Sequence, residues 1–168
     1  MALYLATPAC RHRQAWKRAK QEFEQAGERF FQSKTYGQFL SGCKNNARGK
    51  RLPAGYVPNT TYFLMRGGND KILGRIDIRH RLNDHLRNNP GGHIGYAVAP
   101  SERRKGYGTQ QLRLALEICK TMGLSPVLVT CLKENIASAK VIQKNGGVLE
   151  DERVSKEGKV FQRYWIEV

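Results

Sequence analysis

Acidic residues are scarce in this chain. Fourteen Asp and Glu stand against 29 Lys and Arg over 168 residues, leaving a formal charge of +15 and a pI near 10.0. Cysteine is scarcer still: Cys10, Cys43, Cys119 and Cys131 lie far apart, and no two form a C-x-x-C pair. That spacing argues against a disulfide framework and fits the reduced, buried thiols of a cytoplasmic protein. The four histidines, His12, His80, His85 and His93, do not stand at ligand spacing from the cysteines, so no metal site is expected. No apolar run reaches the length of a membrane span. The segment Met1-Ala2-Leu3-Tyr4-Leu5 lacks the basic-then-apolar layout of a signal peptide and reads as a first strand. There is no internal repeat and no linker long enough to divide the chain, so residues 1–168 are expected to form one domain. With 40% apolar residues and aromatics spread throughout, the chain should fold rather than stay disordered.

What the sequence does have is a glycine turn in a telling place. Arg103-Arg104-Lys105-Gly106-Tyr107-Gly108-Thr109 follows the apolar stretch His93 to Pro100 and precedes the amphipathic segment Gln110 to Met122. The glycines therefore sit at a strand-to-helix junction. The first N–H groups of a helix lack intrahelical partners, and the helix dipole favours an anion there. Glycine lets the backbone approach that anion closely, and three cations flank it. These are the physical requirements of a pyrophosphate cradle. The Walker pattern is excluded, because one residue rather than four separates Gly106 from Gly108. The dinucleotide pattern is excluded too, since Gln111 stands where its third glycine should be.

Periodicity orders the rest. Thr7-Pro8 is a helix-start signal, and Trp16, Ala19, Phe23, Ala26 and Phe30 recur at helical spacing. A second helix is expected from about Thr35 to Ala47. Thr60 to Met65 and Ile72 to Ile78 read as a hairpin turning at Gly67-Gly68-Asn69-Asp70. Leu82 to Asn89 reads as a short helix or an ordered loop. Leu112, Ala115, Leu116, Cys119 and Met122 mark one face of the helix after the cradle. Pro126 to Cys131 is a buried strand by its continuous apolar character. Asn135 to Lys144 is a helix stopped by Asn145-Gly146-Gly147, and Val148 to Val154 and Val160 to Val168 are two final strands.

Arg103, Gly106 and Gly108, in the run Pro100 to Gly108 after a strand ending Val98-Ala99-Pro100, resemble the acetyl-CoA signature of the GNAT (Gcn5-related) N-acetyltransferases. Asn135-Ile136-Ala137-Ser138 through Lys144-Asn145-Gly146-Gly147 resembles that family's next motif. Ile78 to Asn83, Gly91 to Tyr96 and Gln162 to Trp165 resemble a bacterial branch known as predicted acetyltransferases. The resemblance runs over nearly the whole chain. It implies an α/β (α+β) fold with a central mixed, mostly antiparallel sheet, splayed in the middle and covered by helices on both faces. It also implies transfer of an acetyl group from acetyl-CoA to an amine by direct attack. The cofactor would be held by Val98, Ala99, Arg103, Arg104, Lys105, Gly106, Tyr107, Gly108 and Thr109, with Asn135 and Ser138 facing it.

The chain departs from the family at Ile142, where many members carry a tyrosine that protonates the leaving thiolate. Another group, solvent, or unassisted departure must serve. An amine of pKa about 10.4 is mostly protonated at neutral pH and needs a general base. His80 and His93 are the expected candidates, at the same end of the sheet if their strands are antiparallel neighbours. Tyr164 or Trp165, on opposite faces of the last strand, is expected to be core, with the other free to line an acceptor pocket. Cys131 lies near the splay but has no assigned role.

The high positive charge leaves rival readings. A nucleic-acid-binding module would use the charge and Phe30, Phe31, Tyr36, Phe39 and Tyr56 as stacking groups. Those aromatics lie at helical core spacing, however, and no nucleic-acid-binding signature is present. Among acetyltransferases, the acceptor is either a small molecule or a protein lysine or N-terminus. A positive field attracts anions and repels polycations, which favours a small amine carrying or lying near negative charge. A monomer or homodimer is expected, with no membrane partner.

Overall fold

Strand β1 (Leu3–Ala6) opens the computed structural model, which describes residues 2–68 and 70–168. Helices α1 (Arg13–Gln25) and α2 (Tyr36–Ala47) follow, then strands β2 (Asn59–Arg66) and β3 (Gly74–Arg79), the short α3 (Asp84–Asn88) and β4 (Ile94–Val98). Helix α4 (Tyr107–Thr121), β5 (Val127–Leu132), α5 (Ile136–Lys144), β6 (Val148–Val154) and β7 (Val160–Ile166) complete the chain. This is the expected order of elements. Met1 and Asn69, assigned above to the first strand and the hairpin turn, lie outside the described residues.

The first helix starts later than Thr7-Pro8 implies. The Ala9 N–H donates to His12 Nδ1 (3.1 Å) and the His12 N–H returns to the Ala9 carbonyl (2.9 Å), so the chain closes a 3-10 turn at Cys10–His12 first. That turn buries His12 edge-on to Phe63. The helix also ends at Gln25, and Phe30 and Phe31 reach the core from the loop beyond it. The second start is as read: Thr35 Oγ1 accepts from the Gln38 N–H, and Gln38 reaches back to the Thr35 N–H, a reciprocal cap.

The seven strands form one sheet in the order β1-β2-β3-β4-β5-β7-β6, antiparallel except where β4 meets β5. Side chains alternate between its faces. One core packs Trp16 and Phe23 of α1 and Phe39 of α2 on Phe63, Met65 and Ala99. The other packs Leu112, Ala115 and Cys119 of α4 on Ile76, Ile78, Ile94, Val127, Val129 and Tyr164. Between the two layers, β4 and β5 pair only at Ile94↔Val129, reinforced by a bridge from Gly92 to Val129. Beyond Ile94 the two strands diverge.

Candidate active site

The divergence leaves backbone groups facing a gap. The Arg79 N–H donates to the His93 carbonyl (2.7 Å) and the Ala99 N–H to the Leu73 carbonyl (2.9 Å). In an antiparallel ladder such bonded pairs alternate, so His93, Gly95, Ala97 and Ala99 bond towards β3. Ile94, Tyr96 and Val98 turn theirs towards β5, and at Tyr96 and Val98 no strand is there to receive them. An extended ligand could add itself along this edge as a strand does.

At the vertex of the gap, His93 and Leu128 hold the strands together twice. The His93 N–H donates to the Leu128 carbonyl (2.8 Å), and the Leu128 N–H donates to His93 Nδ1 (2.9 Å). Burial, with the charges of Arg87 and Arg79, pushes the His93 imidazole down to about 4. It is neutral at physiological pH and committed to its acceptor role.

At the mouth of the gap stands the N-terminus of α4. Arg104 (φ 63°) and Gly106 (φ 81°) both lie in the left-handed region, turning the chain so that Gly106 caps the helix without a side chain. A Cβ at Gly108 would stand 3.3 Å from Val141 and 3.7 Å from Val98, so glycine lets the first turn seat against both β4 and α5. Asn145 fixes the same turn from the other side, donating to the carbonyls of Thr109 (3.2 Å) and Val141 (2.9 Å). The structure thus brings Val98, Arg104, Lys105, Gly106, Tyr107, Gly108 and Thr109 to one corner. Arg66 lies over the Tyr107 ring there, 5.4 Å from its centroid.

Several other expected site residues stand differently. Arg103 grips Glu28 with both ends of its fork (2.7 Å each) and donates Nε to the Val98 carbonyl (3.1 Å), so it is a strut between the α1–α2 loop and β4. Ala99 is fully buried with both backbone groups in use, its carbonyl accepting from Glu102 (2.8 Å). The edge facing the gap is Tyr96 and the N–H of Val98 instead. Tyr164 is 1% exposed, with its hydroxyl given to Gln162 (2.8 Å), and belongs to the α4 core. His80 pairs with Thr60 Oγ1 (2.8 Å), and burial lowers its pKa. Since Arg79 pairs with His93, alternation puts the two imidazoles at one end of the sheet but on opposite faces. Asn135 caps α5, accepting from the Ser138 N–H (3.1 Å).

Ser138 carries the residue that sequence reading missed. Its Oγ lies 2.8 Å from the Tyr96 hydroxyl, which thereby links β4 to the first turn of α5. Burial raises the Tyr96 phenol to about 12, so it holds its proton. Ile142 is fully buried and has no part in this contact.

On the α1–α2 face lies a cavity of about 560 Å³. Its floor includes Thr61, Arg75, Asp77 and Arg79, and its walls include Phe30 and Cys43. Asp77 accepts from Thr61 Oγ1 and pairs with Arg75 (3.1 Å). The Arg75 guanidinium lies over Phe30, Phe31 and Phe39, 5.0–5.5 Å from their centroids. Asp77 is the one acid in the lining, and neither His80 nor His93 contributes to it. Gly95, opposite Asp77 on β4, puts no side chain between this floor and the start of the gap. Among the described residues, no three of His, Cys, Asp and Glu are grouped to hold a metal ion.

An open parallel pair of strands with a bare helix N-terminus at its mouth suits an extended ligand that carries phosphate. The family model of the acetyltransferase (GNAT) domain matches residues 4–148, and the chain belongs to that family. It is an acetyl-CoA-dependent N-acetyltransferase. No curated protein matches the sequence. Solved structures share the fold at low identity. An acetyl transferase of Salmonella typhimurium that modifies the N-terminal serine of a 50S ribosomal subunit protein is 16% identical, with a TM-score of 0.71 covering 100% of this chain and 96% of that one. The microcin self-immunity acetyltransferase MccE, in complex with acetyl-CoA and AMP, is 15% identical, with a TM-score of 0.68 covering 99% and 92%. A chimera of the Vibrio cholerae spermidine N-acetyltransferase SpeG is 14% identical, with a TM-score of 0.68 covering 99% and 96%. No helix of the described residues is long and apolar enough to cross a membrane.

Proposed function

We propose that this acetyltransferase acetylates the amine of a small molecule bound in the cavity over Arg75, Asp77 and Arg79. The observation that carries the reading is the position of that cavity. It lies across β4 from the gap at Gly95, which has no side chain of its own and over which the Arg79 guanidinium lies. Its volume of about 560 Å³ suits a small ligand.

The pyrophosphate of acetyl-CoA rests on the free N–H groups from Arg104 to Thr109, and the pantetheine arm lies along the edge of Tyr96 and Val98. The acceptor's ammonium meets Asp77, which takes up its proton directly or through water. The amine nitrogen attacks the thioester carbonyl, the C–S bond breaks, and the thiolate leaves. Tyr96, a neutral phenol in contact with Ser138, supplies the proton that turns the thiolate into thiol. It fills the place left by Ile142.

The test is thiol release from acetyl-CoA with amino acids, polyamines, aminoglycosides and basic peptides as acceptors. Peptides are included because the Salmonella structure acts on a protein N-terminus. The reading expects saturable turnover with a small amine. Efficient turnover of peptides alone would overturn the small-molecule acceptor.

A further inference from the structure

Arg79 is a half-buried cation with no carboxylate of its own. Its Nη1 donates to the carbonyls of Gly91 (3.1 Å) and Gly92 (3.0 Å), which holds the turn before β4. A guanidinium carries five N–H donors, so the two on Nη2 and the one on Nε have no protein acceptor among the described residues. Arg79 takes part in no ion pair among these residues, whereas its neighbour Arg75 is paired with Asp77. Burial pulls the Arg79 pKa below its ordinary value, opposed by Asp77 and Tyr56. A charge partly withdrawn from water favours a partner, and here it lines a cavity.

Its position adds direction. Arg79 Nη2 is 3.7 Å from the point where a Cβ on Gly95 would stand. The guanidinium therefore lies over the residue at which β4 and β5 begin to part. A group held by Arg79 sits beside the start of the gap, so an acceptor bound through it has its nearby atoms directed there. The free Nε–Nη2 edge is planar and presents parallel donors, the shape that a carboxylate fills with both oxygens.

We infer that the acceptor is an α-amino acid or a close analogue, its carboxylate held by the Nε–Nη2 edge of Arg79 and its amine directed at the start of the gap beside Asp77. This rests on the amine-transfer reading above. Arg79 sets specificity by pairing its three free donors with the carboxylate, a charge-assisted contact that an acceptor without a carboxylate cannot make.

The experiment compares an α-amino acid, its α-carboxamide and the decarboxylated amine as acceptors, with acetyl-CoA saturating. The parent protein should favour the carboxylate-bearing member in kcat/KM by about tenfold or more. Arg79→Gln should remove that preference, bringing kcat/KM for the three acceptors to within about twofold of one another. Arg79→Lys, which keeps the charge without the fork, should retain part of the preference, and it serves if the Gln variant does not fold. Equal losses on all three acceptors would mean that Arg79 only holds the Gly91–Gly92 turn, and would overturn the inference. So would a parent that turns over the three members equally. Binding of acetyl-CoA without turnover of any amine would overturn the amine-transfer reading and this inference with it, whereas turnover without a carboxylate preference overturns this inference alone.

Discussion

Tyr96 brings its hydroxyl to within 2.8 Å of Ser138 Oγ, beside the gap where a thiolate would leave, with its proton held by a pKa of about 12. Tyr96→Phe keeps the ring and removes the acid. It should lower kcat by about ten- to a hundredfold and leave acetyl-CoA affinity unchanged. An unchanged kcat would show that the thiolate leaves unassisted. His93 carries a different kind of prediction. Its folded pKa of about 4 lies below the ordinary 6.5, so between those values the unfolded chain binds the proton and the folded chain does not. Its contribution is therefore fully present above pH 6.5 and is lost as pH falls towards 4, by ~3 kcal/mol. His93→Ala should flatten that part of the stability–pH curve in denaturant titrations. It should also destabilise the protein by ~2–4 kcal/mol at pH 7, because it leaves the buried Leu128 N–H without an acceptor and opens a cavity. A variant as stable as the parent with the same pH slope would remove the clasp from the account. Tyr96 was not legible as a functional residue from local pattern, and Asp77 only as one of a few acids able to lie in an acceptor cleft. Both sit on ordinary strand positions, and what places them is the register Asp77↔Gly95 and Ile76↔Tyr96, a long-range fact. His80 and His93 drew attention by residue type, and the same register separates them.

Among the elements, the junction of β4 with α4 was the most legible, because Gly106 and Gly108 each answer a local backbone demand that sequence displays directly. The start of α1 was less so. Thr7-Pro8 is a sound local signal, overridden by burial of His12 against Phe63 on another strand. The role of Arg103 was hidden for a related reason. Its position in the motif is local, but its partner Glu28 lies in the loop between α1 and α2, ahead of Phe30, whose carbonyl accepts from Arg75 (2.9 Å) in the cavity floor. The strut thus runs from the gap between β4 and β5 to the loop that walls the cavity over Arg75. Arg103→Ala and Glu28→Gln should each destabilise modestly, and a double-mutant cycle should give a coupling of ~0.5–1 kcal/mol, as befits a half-exposed pair. If Arg103 instead bound phosphate, Glu28→Gln would free it and tighten acetyl-CoA binding in calorimetry.

Over the whole molecule, more than half of the +15 falls between residues 10 and 51. The three acids of that stretch are all engaged: Glu22 accepts from the Ser101 N–H (2.6 Å), Glu24 pairs with Lys20, and Glu28 pairs with Arg103. The sign of the field was plain from composition, but its use was not. Charge counts cannot show that one half-buried cation, Arg79, lines a cavity with no ion pair among the described residues. The central claim is narrower than the field and does not depend on it: acetyl-CoA lies in the gap between β4 and β5, with its pyrophosphate on the first turn of α4. Calorimetric titration of acetyl-CoA into the parent and into Gly108→Asp tests it most directly. The substitution sets a carboxylate where the phosphates rest and a Cβ 3.3 Å from Val141, so a folded variant should show no saturable binding where the parent binds one equivalent. A folded Gly108→Asp protein that binds acetyl-CoA as tightly as the parent would contradict the account.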